Sequence, residues 1–144
     1  MGNYFVSADK KLLNSSLIHA FLKESYWAKD VPFENILRRI DNALCFGLYD
    51  SDKNQIGFAR VITDSESFAY LADVFLLETH QGKGLSRILM DCIMSYPDIK
   101  DLRRFMLGTR DAHFLYEKYG FNAVAHPQVW MEKTNPDIYK ISNE

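Results

Sequence analysis

Six consecutive residues, Gln81-Gly82-Lys83-Gly84-Leu85-Ser86, combine two glycines with a lysine, and Arg87 follows them. These residue types suit an anion. Glycine permits backbone angles that other residues avoid, and it leaves no side chain between the amides and a ligand. Downstream, Leu85, Ile88, Leu89, Cys92 and Ile93 recur at steps of three and four, the spacing of one helix face. The loop therefore opens a helix, whose first turn carries unpaired N–H groups and the positive end of the dipole. With Lys83 and Arg87 beside it, the segment is expected to grip a pyrophosphate. A second candidate lies just upstream. The run from Ala69 to Leu77 is apolar except for Asp73. A charge in such a strand is costly unless it is paired or does work. Arg60 is likewise the lone charge in Gly57 to Ile62, so Asp73 reads either as its ion-pair partner or as a group serving a reaction.

The elements that must hold these residues can be read in chain order. Asn3 to Ser7 predicts a short strand, and Asn14 or Ser15 caps a helix with Leu17, Ile18, Phe21 and Leu22 on its face. Tyr26 and Trp27 fall in a break before Pro32, which suits the first turn of a second helix. That helix carries Phe33, Ile36, Leu37 and Ile40 on one side, with Glu34, Arg38, Arg39 and Asp41 mostly on the other. Ala43 to Tyr49 and Gln55 to Thr63 make a hairpin about the polar turn Asp50 to Asn54, and Phe68 to Leu77 is the next strand. After the glycine-led helix, Phe105 to Gly108 predicts a strand and Ala112 to Tyr119 a helix closed by Gly120. Phe121 to Ala125 and Gln128 to Lys133 predict two last strands, and residues 135–144 a loosely held tail. The order is β-α-α-β-β-β-α-β-α-β-β, an α/β (α+β) arrangement in one domain over residues 1–144.

Composition narrows the function. A chain of 144 residues, 47% hydrophobic, can bury one sizeable core. A net charge of −2 offers no electrostatic footprint for nucleic acid or an anionic membrane. No apolar run approaches the roughly 18 residues of a membrane helix, and the N-terminus lacks a secretory pattern. Val6 stands where a myristoylation signal needs Ser or Thr. Cys45 and Cys92 lie in apolar surroundings, read as two free thiols in a reducing compartment, and the expected location is cytoplasmic. His19, His80 and His113 show no metal-ligand spacing with either cysteine, so no metal is expected.

The anion loop is not a dinucleotide fingerprint, because Arg87 occupies the place of the third glycine, and no Walker pattern is present. It fits Q/R-x-x-G-x-G/A after a strand, with Ser86 in the last position. About twenty residues on, Thr109-Arg110-Asp111-Ala112-His113-Phe114-Leu115-Tyr116-Glu117-Lys118-Tyr119-Gly120-Phe121 is similar to N-x-x-A-x-x-x-Y-x-x-x-G-F. Through these two motifs and the element order, the chain resembles the GNAT N-acetyltransferase superfamily over nearly its whole length. The resemblance implies a single mixed, mostly antiparallel sheet with helices on both faces.

It also implies acetyl-CoA as co-substrate and a primary amine, on a small molecule or a peptide, as acceptor. The amides of Gly82, Lys83, Gly84, Leu85, Ser86 and Arg87 would hold the diphosphate, with Gln81 at the family's Q/R position. The main chain of Val74, Phe75 and Leu76 would pair with the pantetheine arm, the Leu76 amide facing the thioester oxygen. Thr109 and Ala112 would border the coenzyme, and Tyr116 would give a proton to the departing thiolate. An amine with a pKa of about 10.4 arrives protonated, so a base is wanted, and Asp73 is the candidate.

Each role has a plainer counterpart. Tyr116 could be a helix aromatic packed on the sheet, since Leu115 and Tyr119 stand at core spacing. Tyr26 and Trp27 could stack on a substrate or pack between helices. Arg60 and His113 complete the candidate acceptor side, and Trp130 is a further aromatic on a late strand. Neither cysteine falls in a motif, so direct attack is expected over an acyl-enzyme, in a monomer or a homodimer. The alternative is a non-catalytic acyl-CoA-binding module, and a scaffold surface is a third reading.

Overall fold

The computed structural model describes residues 3–140. Five strands form one sheet in the order in which they occur: β1 (Phe5–Ser7), β2 (Leu44–Tyr49), β3 (Gln55–Thr63), β4 (Phe68–Leu76) and β5 (Arg104–Leu107). The first four pair antiparallel; β4 and β5 run parallel. Helices α1 (Ser15–Leu22), α2 (Phe33–Asp41), α3 (Leu85–Ser95) and α4 (His113–Glu117) complete the expected α/β frame. The Asn14 side chain accepts from the Leu17 amide at 3.0 Å and caps α1. Pro32 stands one residue earlier than expected, at the cap position of α2 and not within its first turn.

Two cores flank the sheet. On one face Phe46, Ala59, Val61 and Leu71 pack against Leu89, Met90 and Ile93 of α3 and Tyr116 of α4. On the other, Cys45, Phe58 and Phe75 pack against Ile18 and Leu22 of α1 and Ile36 and Ile40 of α2. Each fully buried Leu or Ile contributes about 2 kcal/mol. Cys45 and Cys92 are free thiols. Burial pushes the Cys45 thiol up to about 11, which keeps it neutral and unreactive near neutral pH.

The two last predicted strands do not form. Residues 121–125 and 128–133 run as irregular chain with a single turn of tighter helix at Pro127–Val129. The physical reason is burial. Asn122 to Ala125 are exposed, as are Val129, Trp130 and Met131, and Phe121 alone packs on the core, so neither segment offers the sheet a continuous apolar face that would offset its ordering. Trp130 lies instead against the Arg104 guanidinium, 4.6 Å from the ring centre. Of the segment expected to be a loose tail, residues 136–139 form a turn and Tyr139 packs on the cluster beneath α1 and α2, while residues 141–144 lie outside the described residues.

Strand β4 has an irregularity that matters below. Phe58 pairs with Phe75 and Arg60 with Ala72, so Ala59 faces two residues, Asp73 and Val74. Asp73 takes a φ of +53°, the left-handed conformation that Asp and Asn adopt more readily than other non-glycine residues. This is a β-bulge, which bends its strand and sharpens the local twist.

Candidate active site

The pairing of β4 with β5 ends at Leu71 and Leu107, while β4 runs on to Leu76. The bulge at Asp73 begins two residues beyond that last pair and bends β4 away. The main chain from Ala72 onward thus has no strand on its β5 side, and a cleft of about 430 Å³ opens there. Its walls come from four places: β4 at Tyr70 to Val74, the end of β5 with Gly108 to Arg110, Tyr116 of α4, and Tyr26, Trp27, Arg39 and Arg60 from the opposite face.

Asp73 is the centre of this wall, its side chain 2% exposed. Arg60 Nε donates to its Oδ2 at 2.8 Å, and Arg39 donates to both oxygens from one terminal nitrogen at 3.1 and 3.3 Å. Trp27 Nε1 donates to Oδ1 at 2.9 Å. The ion pair with Arg60 set out above as one reading of Asp73 is therefore present, and Arg39 makes it a triad. Burial works against the Arg39 charge, but Asp73 and the Tyr139 hydroxyl outweigh it and hold its pKa above the ordinary value. Arg39 was assigned to the outer side of α2; it lies on the flank of that helix that borders the cleft.

Tyr116 is 8% exposed and packs edge-on against Phe121. Its hydroxyl donates to no protein group among the described residues, and burial raises its pKa above 10.0, with Tyr26 adding to the shift. The phenol forms part of two walls, that of the cleft and that of a second hollow of about 400 Å³ behind β5. His113 borders only the second hollow, so it stands apart from the Asp73 cluster. Thr109 lines the cleft, and its hydroxyl accepts from the Ala112 amide at 3.2 Å, fixing the turn into α4. Tyr26 is tied across the opening: its hydroxyl accepts from the Arg110 amide at 3.1 Å, and the Arg110 guanidinium lies 3.8 Å from its ring centre. Tyr26 and Trp27 meet edge to face, at the cleft mouth and not between α1 and α2.

Past the end of β4, a single turn at Glu78–His80 leads into the glycine loop. Gly82 and Gly84 have φ of +77° and +74°, and Gly84 is the residue before α3. Nothing lies within 4 Å of a Cβ built on either glycine, so the requirement for glycine is conformational and the space above is open. The amides of residues 82–86 donate to no protein acceptor among the described residues. Lys83 and Arg87 are exposed beside them and Ser86 partly so, while Leu85 is buried against Leu48 and Ile56 and fixes the start of α3. Gln81 turns the other way: its side-chain amide donates to the Leu76 carbonyl at 2.9 Å and ties the loop to the strand. Phe75 is buried, stacked on Phe21 at 4.1 Å, so β4 offers its main chain and not this side chain to the cleft.

Arg39, Tyr70, Gly108 and Arg110 join the wall without having been singled out by the sequence, because loop and flank geometry, not a motif, brings them there.

Known proteins resemble this chain in sequence and fold. The model of the acetyltransferase (GNAT) family matches residues 10–121. A candidate acetyltransferase of Gibberella zeae is 36% identical, covering 81% of this chain and 77% of its own length. The crystal structure of a GNAT-family protein from Xanthomonas campestris superposes with a TM-score of 0.94 at 48% identity, over 98% of this chain and 99% of that one. An acetyltransferase of Clostridium acetobutylicum, assigned by prediction and crystallised with acetyl-CoA, shares the fold at a TM-score of 0.66 and 18% identity, over 93% and 96% of the two chains.

Proposed function

The chain belongs to the acetyltransferase (GNAT) family, and on that premise we propose that it moves an acetyl group from acetyl-CoA to a primary amine by direct attack. The observation that carries this reading is the β4 main chain at Ala72 to Phe75, which has no strand on its β5 side and leads from Tyr116 toward the amides at the start of α3. The diphosphate would sit on the amides of Gly82 to Ser86, with Lys83 and Arg87 as counter-charges. The pantetheine arm would run along the open strand edge as β5 would have done, accepting and donating main-chain hydrogen bonds. The thioester would then lie in the split between β4 and β5.

The amine nitrogen attacks the thioester carbon, the C–S bond breaks, and the electron pair leaves with sulfur. Tyr116 donates its proton to that thiolate and is reprotonated from solvent. The arriving ammonium loses one proton to water in the open cleft before it attacks, and the nitrogen loses a second to water once the new C–N bond has formed. Asp73 serves the site differently from a base. Its oxygens already accept from two guanidinium groups and an indole, so it positions Arg39, Arg60 and Trp27 along the acceptor wall. The neutral thiols of Cys45 and Cys92 fit direct transfer in a cytoplasmic setting. No helix among the described residues is long and apolar enough to cross a membrane.

The test is thiol release from acetyl-CoA across an amine panel, with coenzyme binding followed separately by calorimetry. Turnover on at least one amine supports the reading; tight binding without turnover on any leaves a non-catalytic binding module. Gly84→Ala checks the coenzyme loop. A φ of +74° costs an L-residue about 1 kcal/mol, and the new methyl group stands where a phosphate must approach. Affinity for acetyl-CoA is expected to fall at least tenfold by calorimetry, with a drop in Tm of a few degrees. An unchanged affinity would place the diphosphate elsewhere.

A further inference from the structure

The charges on the cleft wall are unbalanced. The chain as a whole carries a net charge of −2, yet the wall holds three guanidinium groups, Arg39, Arg60 and Arg110, against one carboxylate, Asp73. Arg39 and Arg60 are 20% and 14% exposed at the side chain, so their charges are held close to the cavity and poorly screened by water. Arg60 uses only its Nε on Asp73. Its two terminal nitrogens, and all three nitrogens of the Arg110 guanidinium, meet no protein acceptor among the described residues. Asp73 belongs to the α2 face of the sheet, whereas the glycine loop and α3 belong to the end of β4 and the opposite face. The excess positive charge therefore lies on the acceptor side of the split, apart from the place of the coenzyme phosphates.

We propose that the acceptor is an amine that also carries an oxyanion, a carboxylate or a phosphate, and that Arg60 and Arg110 bind this group beside Tyr26 and Trp27. This rests on the acetyltransferase reading. A guanidinium presents paired N–H donors that match both anions; at Arg60, 14% exposed at the side chain, such charge-assisted bonds are stronger than at the surface, and the exposed Arg110 adds a second set of donors at the mouth. A polyamine or other multiply cationic acceptor would meet repulsion at the same wall. The Tyr26 ring under Arg110 keeps that guanidinium at the mouth in place of free solvent, and the tie from the Arg110 amide to the Tyr26 hydroxyl fixes both loops.

Four amines with similar short frames separate the cases: β-alanine, phosphoethanolamine, ethanolamine and putrescine. In calorimetric titrations of the coenzyme A-bound protein, at least one of the two anionic amines is expected to bind tenfold or more tightly than ethanolamine, with putrescine weakest. Which of the first two binds better distinguishes carboxylate from phosphate. In the thiol-release assay the same order is expected in kcat/KM. Arg110→Gln is expected to raise KM for the anionic amines at least tenfold, to leave ethanolamine within twofold, and to leave acetyl-CoA affinity unchanged; Arg110→Lys should restore part of the loss. Equal binding of all four, or preference for putrescine, would overturn the proposal. Selective binding of an anionic amine without any turnover would support the anion site and overturn the enzymatic reading, so the two fail separately.

Discussion

Tyr116→Phe is expected to lower kcat about 100-fold while leaving the affinity for acetyl-CoA within twofold. The size follows from the leaving group. A thiol with a pKa of about 8.5 departs far more readily than an alkoxide, so the acid's share lies at the low end of the range for proton transfer. The hydroxyl makes no hydrogen bond to protein among the described residues, so its removal should change stability by less than about 1 kcal/mol. That separates a chemical role from a packing one. The pH dependence gives a second check. Burial raises the Tyr116 pKa above 10.0, and the protonated form is the donor. Activity should therefore rise with pH as the amine loses its proton, with no fall attributable to Tyr116 below about pH 10. Thiol release measured from pH 6 to 10 reads both effects. A kcat equal to wild type would remove the phenol from the reaction, and Tyr116 would then be only an aromatic of α4 packed on the sheet.

Asp73→Ala should be the most destabilising single change in the cleft, by about 3–5 kcal/mol. It leaves Arg39 and Arg60 without their counter-ion and the Trp27 N–H without an acceptor, all in a half-buried setting. It also forces alanine to hold a φ of +53°. Asp73→Gly removes the second cost and keeps the first, so it should be about 1 kcal/mol more stable than the alanine variant. Asp73→Asn tolerates the backbone and still accepts hydrogen bonds, and should fall nearest to wild type. Urea unfolding of the three variants orders them, and an alanine variant as stable as wild type would show that the triad contributes nothing. The asparagine variant also settles the base. If Asp73 only positions its neighbours, the pH profile of kcat/KM keeps its shape and loses height; if Asp73 takes the amine proton, turnover is lost most at low pH.

Where the sequence was readable, a local rule and the tertiary structure agreed. The strand Gln55–Thr63 was placed to the residue, because a mostly apolar run between polar turns is a local signal, and of the two cap candidates, Asn14 and Ser15, the structure uses Asn14. The pairing of Asp73 with Arg60 was legible because two lone charges in adjacent apolar strands have few other options. Arg39 was not. Its helix pattern gives it the polar side, and only the packing angle of α2 over the sheet carries that flank to Asp73. Gln81 was expected at the phosphate, yet its side-chain amide donates to the Leu76 carbonyl at the end of β4. The late segments around Phe121 and Val129 show the opposite error. Their composition favours strands, but a ladder needs an apolar face to bury, and apart from Phe121, which packs on the core, theirs remains in solvent.

Residue 73 can be counted out of its strand without disturbing anything else. Leu71 and Val74 pack on the α3 side, while Ala72, opposite Arg60, and Phe75, opposite Phe58, belong to the α2 side. Read in that order and skipping Asp73, the side chains alternate like those of an uninterrupted pleat. The carboxylate is thus a supernumerary residue in a strand whose hydrophobic grammar is complete without it. Strand geometry alone would have let the two parallel neighbours zip further together; one additional residue keeps them parted, and the seam it holds open is where a substrate can enter.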